Sequence, residues 1–153
     1  VATINVEVQG TIKRPVAVVS RQFGDIRHHA RDRVHPNIAF TLLSENGDEC
    51  RFRQQVKLVG MLQTDEVVQH RNADGSLSWE FVDGANRGTR IHQAFTPVGA
   101  DATMVTFRAE APANGIKRVL KPLFEIAIRN AVKKGFEEDR IDLEERGYGA
   151  SPA

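Results

Sequence analysis

The spacing of hydrophobic positions changes twice along the chain and divides it into three stretches. Ala2, Ile4, Val6 and Val8 alternate with polar residues, and the alternation resumes at Ile12, which predicts a half-buried strand interrupted at Gly10. Behind Pro15, tolerated in a helix's first turn, Val16, Val18, Val19 and Phe23 fall at helical spacing. After Gly24, Asp25 is a good N-cap for a second short helix from Ile26 to about Asp32, and Pro36 stops anything helical beyond it.

From Asn37 to Ala111 the period is two, broken at regular intervals by turn residues. Ile38, Phe40 and Leu42 alternate up to an Asn46-Gly47 hairpin signal. Cys50, Phe52, Gln54, Val56 and Leu58 follow, set against a basic face of Arg51, Arg53 and Lys57. Gly60 marks a bulge or turn before a strand from Met61 to His70, and Asn72 to Gly75 makes the next hairpin turn. Leu77, Trp79 and Phe81, then Thr89, Ile91, Gln93 and Phe95, then Val105, Phe107 and Ala109 complete six consecutive strands. Past Pro112 the period becomes 3.6: Val119/Leu120, Leu123/Phe124, Ala127/Ile128 and Ala131/Val132 form one wide stripe from Ile116 to Phe136. Asn114 is placed to cap this helix, Pro122 to bend or restart it, and Glu137 to Arg146 reads as a largely solvated extension ending at Gly147.

A strand, two short helices, six antiparallel strands and a long amphipathic helix predict an α+β fold: a curved antiparallel sheet of about seven strands wrapped around the C-terminal helix. In this order of elements, in the turns at Asn46-Gly47 and Asp74-Gly75 and in the stripe Leu120-Lys121-Pro122-Leu123-Phe124, the chain resembles the START and polyketide-cyclase superfamily. This is the helix-grip fold, and it includes the birch-pollen-allergen-like proteins. The resemblance runs from Ala2 to about Phe136. It implies a cavity between sheet and helix that takes an apolar or amphipathic small molecule, with no cofactor. One branch, the aromatase/cyclases, implies instead a cavity that folds a reactive polyketone while one acid or base assists enolisation and loss of water.

Composition narrows the partners. The 153 residues suit one compact domain, taken as 1–147 with a disordered tail at 148–153. A net charge of +1 supplies no general field for phosphates, and the local patch of Arg27, Arg31 and Arg33 lacks interleaved aromatics, so no nucleic-acid partner is expected. Apolar runs reach only about four residues, too short for membrane insertion, and Val1 to Gly10 does not read as a secretory signal. The lone Cys50 is best tolerated in a reducing, cytoplasmic setting and reads as an inert buried thiol. The chain is expected as a monomer or homodimer.

Strand alternation places Phe52, Gln54, Val56, Trp79, Phe81, Ile91, Gln93, Phe95, Val105 and Phe107 on the concave face, with Phe124 and Ile128 facing them from the helix. These are the expected ligand-binding residues. Gln54 and Gln93 are the informative exceptions, since an inward amide costs about 1–3 kcal/mol without a partner. Either they orient a ligand's polar group, or they bond to each other, to backbone or to water. Asp65 and Glu66 are the candidate catalytic pair. Alternation turns one of them inward, as a general base or as one half of an ion pair with Arg51, Arg53 or Arg71, and Gly60 leaves open which. His28 and His29 diverge by about 100° on a helix and do not clamp one ion, so no metal is expected. His92 is expected on the outer surface beside Arg90. No nucleophile elbow, phosphate loop or zinc-protease motif occurs.

Overall fold

The computed structural model describes residues 2–58 and 60–149. Strand β1 (Thr3–Ile12) leads into helices α1 (Val16–Gly24) and α2 (Ile26–Arg31). Six strands follow: β2 (Ile38–Asn46), β3 (Glu49–Leu58), β4 (Met61–Arg71), β5 (Leu77–Gly84), β6 (Arg90–Pro97) and β7 (Thr103–Pro112). A short turn of helix, α3 (Ile116–Val119), precedes the long α4 (Lys121–Glu144). The strands form one antiparallel sheet in the order β1-β7-β6-β5-β4-β3-β2, gripping α4 against β1.

Each helix boundary has a local cause. Asp25 caps α2, its carboxylate accepting the N–H of His28. Pro122 restarts the helix rather than bending it, because it falls in the first turn of α4, where no backbone donor is needed. Gly115 at φ 57°, not Asn114, stands ahead of α3. Gly10 does not interrupt β1, which runs straight through it. Its role is packing: a Cβ at Gly10 would collide with the ring of Phe136, so this glycine lets α4 lie close on the strand.

Cross-strand rows fix the inner face. Val6, Ala109, Ile91, Trp79 and Gln69 sit opposite one another across five strands. The next inner row is Val8, Phe107, Gln93 and Leu77. Three buried clusters result: around Ile4, Val6 and Phe124; around Ile12, Val19, Leu77 and Leu143; and around Ile26, Phe52, Val67 and Phe81.

Two expectations about the C-terminus are corrected. The last turns of α4 are not solvated: Asp139, Asp142 and Leu143 are buried against α1 and α2, because Gln22, His28 and His29 supply partners that make burial of the two carboxylates tolerable. The tail does not begin at 148, since Tyr148 donates to Asp25 Oδ2 at 2.7 Å and its carbonyl accepts from Arg14 at 2.9 Å. Residues 150–153 of the expected tail lie outside the described residues.

Candidate functional site

Between the inner face of the sheet and α4 lies a cavity of about 200 Å³. Nine of the twelve residues expected to line it do so: Gln54 and Val56 from β3, Trp79 and Phe81 from β5, Ile91 and Gln93 from β6, Val105 and Phe107 from β7, and Ile128 from α4. The other three stand one layer behind. Phe52 is fully buried between Phe40 and Trp79, with ring centroids at 5.8 and 5.0 Å. Phe95 packs edge-on against Phe23 at 5.3 Å, and Phe124 is buried with Ile4, Val6 and Ala113. Alternation gives the face but not the depth, and a large ring flanked by other rings supports the wall instead of forming it.

The polar groups of the cavity are few and mostly anchored. Trp79 Nε1 donates to Gln69 Oε1 at 2.7 Å, and Gln69 Nε2 donates to the carbonyl of Gly24, so the indole is held in place from the end of α1. Gln93 differs. It is 3% exposed, and its Oε1 has no hydrogen-bond partner among the described residues. A buried amide oxygen left in this state costs about 1–3 kcal/mol.

Asp65 and Glu66 separate as alternation requires. Glu66 faces outward and pairs with Arg51 on the neighbouring strand at 3.0 Å, an ion pair on the convex surface that keeps Glu66 away from the cavity. Asp65 faces inward and is buried, but its two oxygens hold the loop after β5, accepting from the Asn86 N–H at 2.6 Å and from Asn86 Nδ2 at 2.7 Å. Opposite Asp65 stands Gly84 at φ 109°, where a Cβ would strike the Thr64 carbonyl. The register shift after Glu66 lies at this bend in the pairing with β5, whereas β3 and β4 pair without a shift on either side of the turn at Gly60. Arg71 does not serve the pair; it bonds Ser20 and Gly75 and ties α1 to the β4–β5 hairpin.

Sequence spacing missed the most polar part of the cavity. His29, His35 and Asp139 line one end of it, and Gln63 and Asn86 line the wall near Asp65. His29 Nε2 stands 2.8 Å from Asp139 Oδ1, and His35 Nε2 stands 3.4 Å from Asp139 Oδ2. The second nitrogen of each ring is also engaged: His29 Nδ1 with the Asp25 carbonyl at 2.8 Å, His35 Nδ1 with Glu138 Oε1 at 3.1 Å. Alongside, His28 lies between Asp142 at 2.7 Å and Asp32 at 2.8 Å, and Gln22 Nε2 bridges Asp139 and Asp142. The one available signal was the acidic pair Asp139 and Asp142, three residues apart on a helix face, opposite a histidine-rich α2.

Burial works against a charged His35, but the charge of Asp139 and hydrogen bonds to Asp139 and Glu138 outweigh it and push the imidazole up to about 9. Burial likewise disfavours the Asp139 carboxylate, yet the fields and hydrogen bonds of His35 and His29 hold it far below the ordinary carboxylate range. The folded-state value of His35 lies above its unfolded value of 6.5, so its contribution to stability is complete below about pH 6.5 and is lost as the pH rises through about 9. With EDTA present, the unfolding free energy of the wild type relative to His35→Gln is expected to fall across that window by on the order of 1–3 kcal/mol. A difference that stays flat from pH 6 to pH 10 contradicts this, as measured by urea unfolding.

Cys50 is half-buried, and burial together with the Glu45 charge pushes its thiol up to about 11, as suits an inert thiol. A wider, open groove of about 790 Å³ crosses the convex face of the sheet. His92 lies there, as expected, among rows of alternating charge such as Glu110, Arg90 and Glu80, which cross-strand pairing explains.

A curved seven-stranded sheet closed by a long C-terminal helix, with a largely apolar space between them, defines the helix-grip class of START-like proteins. Residues 3–139 match the family model described as polyketide cyclase / dehydrase and lipid transport, and the chain belongs to that family. A solved structure from Thermus thermophilus superposes with a TM-score of 0.85 at 13% identity, covering 94% of this chain and 99% of that one. An aromatase/cyclase named Zhui from a Streptomyces species gives 0.75 at 14% identity, covering 95% and 99%. A START superfamily protein from Mycobacterium smegmatis gives 0.77 at 12% identity, covering 93% and 98%. These likenesses speak for the fold. No curated protein sequence matches the chain.

Proposed function

We propose that this protein binds a small amphipathic molecule in the cavity between sheet and helix, with its apolar body against Trp79, Phe81, Ile91 and Phe107 and a hydroxyl or N–H donating to Gln93 Oε1. The observation that carries this reading is the unpartnered, buried Gln93 oxygen in a cavity where the polar groups of His29, His35, Asp139, Gln63 and Asn86 bond to one another or to their neighbours. At roughly 20 Å³ per packed non-hydrogen atom, about ten atoms fit, the size of one or two fused rings. Among the described residues no helix is long and apolar enough to cross a membrane. A single cysteine, Cys50, with no second thiol for an internal disulfide supports a reducing, cytoplasmic setting.

The test compares 2-naphthol with naphthalene, which share a ring system and differ by one donor. Wild-type protein is expected to bind 2-naphthol with a Kd on the order of 10–100 µM and at least about tenfold tighter than naphthalene. Gln93→Leu abolishes the difference while leaving the fold as stable or more so, because the orphaned oxygen is gone. Equal affinities for the two probes in the wild type would remove the basis for the reading.

One observation favours a second reading, cyclase or dehydratase chemistry in the same space: the His29–Asp139–His35 cluster offers proton donors and acceptors at the cavity's end. The chain would then convert a poly-β-ketone to a cyclised, dehydrated product, and His35→Gln would abolish turnover while leaving 2-naphthol binding within about threefold. Absence of any product from the wild type argues against it.

A further inference from the structure

The geometry points to a divalent transition-metal site formed by His29 Nε2, His35 Nε2 and an oxygen of Asp139. These three ligand atoms lie within 4.8 Å of one another, and all three residues are buried. Around a tetrahedral ion with bonds of about 2.0–2.1 Å, donors stand about 3.3 Å apart, so small side-chain rotations suffice to bring the trio onto one ion. The diverging neighbours His28 and His29 do go to different carboxylates, as helical spacing requires. The convergent pair is His29 and His35, and the third donor arrives from α4, more than a hundred residues away in sequence.

The hydrogen bonds around the trio argue for a metal beyond mere proximity. A carbonyl oxygen only accepts, so His29 carries its hydrogen on Nδ1, facing Asp25. By the same reasoning His35 Nδ1–H faces the Glu138 carboxylate. This is the outer-shell arrangement that orients metal-binding imidazoles, with Nδ1–H anchored on oxygen and Nε2 directed at the site. Each Nε2 then meets a carboxylate oxygen of Asp139, a juxtaposition that calls for a positive centre between them, either one proton per ring or one dication for both. Exchanging two protons for one dication leaves the charge of the cluster unchanged.

The surroundings favour added positive charge. The carboxylates of Asp32, Glu138, Asp139 and Asp142 bond to the three imidazoles of this region, and the Asp25 carboxylate accepts from the His28 backbone N–H beside them. Among the described residues only Asp32 pairs with an arginine, Arg31, and none of the other four pairs with a lysine or arginine. Two imidazoles and one carboxylate suit zinc or ferrous iron better than calcium or magnesium. Because the three ligands line the cavity, the ion's remaining coordination positions open toward it, the pattern of a reactive rather than a purely structural site. The site stands independently of any organic ligand.

The full chain, stripped with EDTA and moved to metal-free buffer, is titrated with Zn²⁺ by calorimetry and with Co²⁺ by visible absorption. The expected result is one Zn²⁺ per chain and Co²⁺ ligand-field bands. His29→Gln, His35→Gln and Asp139→Asn each weaken Zn²⁺ binding at least about 100-fold and erase the bands. His28→Gln, which removes a buried histidine from the adjoining Asp142 contact, leaves both intact. Circular dichroism confirms folding, and should Asp139→Asn unfold, the two histidine variants carry the comparison. Failure of the wild type to take up one equivalent overturns the site, as does uptake unchanged in the histidine variants.

Discussion

Asp139→Ala is expected to destabilise the protein by about 3–5 kcal/mol, among the largest effects of any single substitution in the chain. The carboxylate accepts from Gln22 and faces His29 and His35, and all four side chains are buried. Removing it leaves the Nε2 atoms of two buried imidazoles facing one another without their acceptor and strips Gln22 Nε2 of one of its two carboxylate partners, Asp142 being the other. Asp139→Asn keeps the shape and one acceptor, so its cost falls below that of alanine. Urea denaturation with an unchanged m-value checks the ordering, and a loss under 1 kcal/mol for alanine would mean that the network contributes little.

The second large effect is on binding. Gly135 lies on α4 at the cavity, one turn before Asp139, and a Cβ built there meets only His35 Cε1 within 4 Å, at an ordinary 3.8 Å. Glycine inside a helix costs about 1 kcal/mol relative to alanine, so its presence at this position keeps space open at the expense of helix stability. Gly135→Trp places a side chain of nearly the cavity's bulk into that space. The expected outcome is at least about a 100-fold weaker affinity for 2-naphthol, about 2.7 kcal/mol, with thermal stability held or improved by the gain in helix propensity. Unchanged affinity in a folded Gly135→Trp protein would place the probe elsewhere.

The order of elements was legible because period-two and period-3.6 segments are long here and the turn residues between them are strong: Asn46-Gly47 and Asp74-Gly75 stand where the hairpins turn. Alternation also identified most of the cavity wall, since side chains on paired strands share a face. What it does not give is depth: alternation sends Phe52, Phe95 and Phe124 to the cavity, although rings flank the first two and the aliphatic cluster around Ile4 and Val6 encloses the third. Nor did it give the register of β4, which depends on how Gly84 bends the facing strand. The histidine–aspartate network was invisible for a different reason. Asp139 and Asp142 look like solvated charges on a helix until α1 and α2 are docked, and only the fold brings residues more than a hundred positions apart into hydrogen-bonding range.

The most direct measurement is an amide chemical-shift titration of the isotopically labelled chain with 2-naphthol. The account predicts saturable shifts at a 1:1 ratio, concentrated at Ile91, Gln93, Phe107 and Ala109 on the sheet and at Val132 and Gly135 on α4, with the Gln93 side-chain amide among those most affected. Shifts confined to the outer face around Glu80, Arg90 and Glu110, or none that saturate up to the solubility limit, would contradict it.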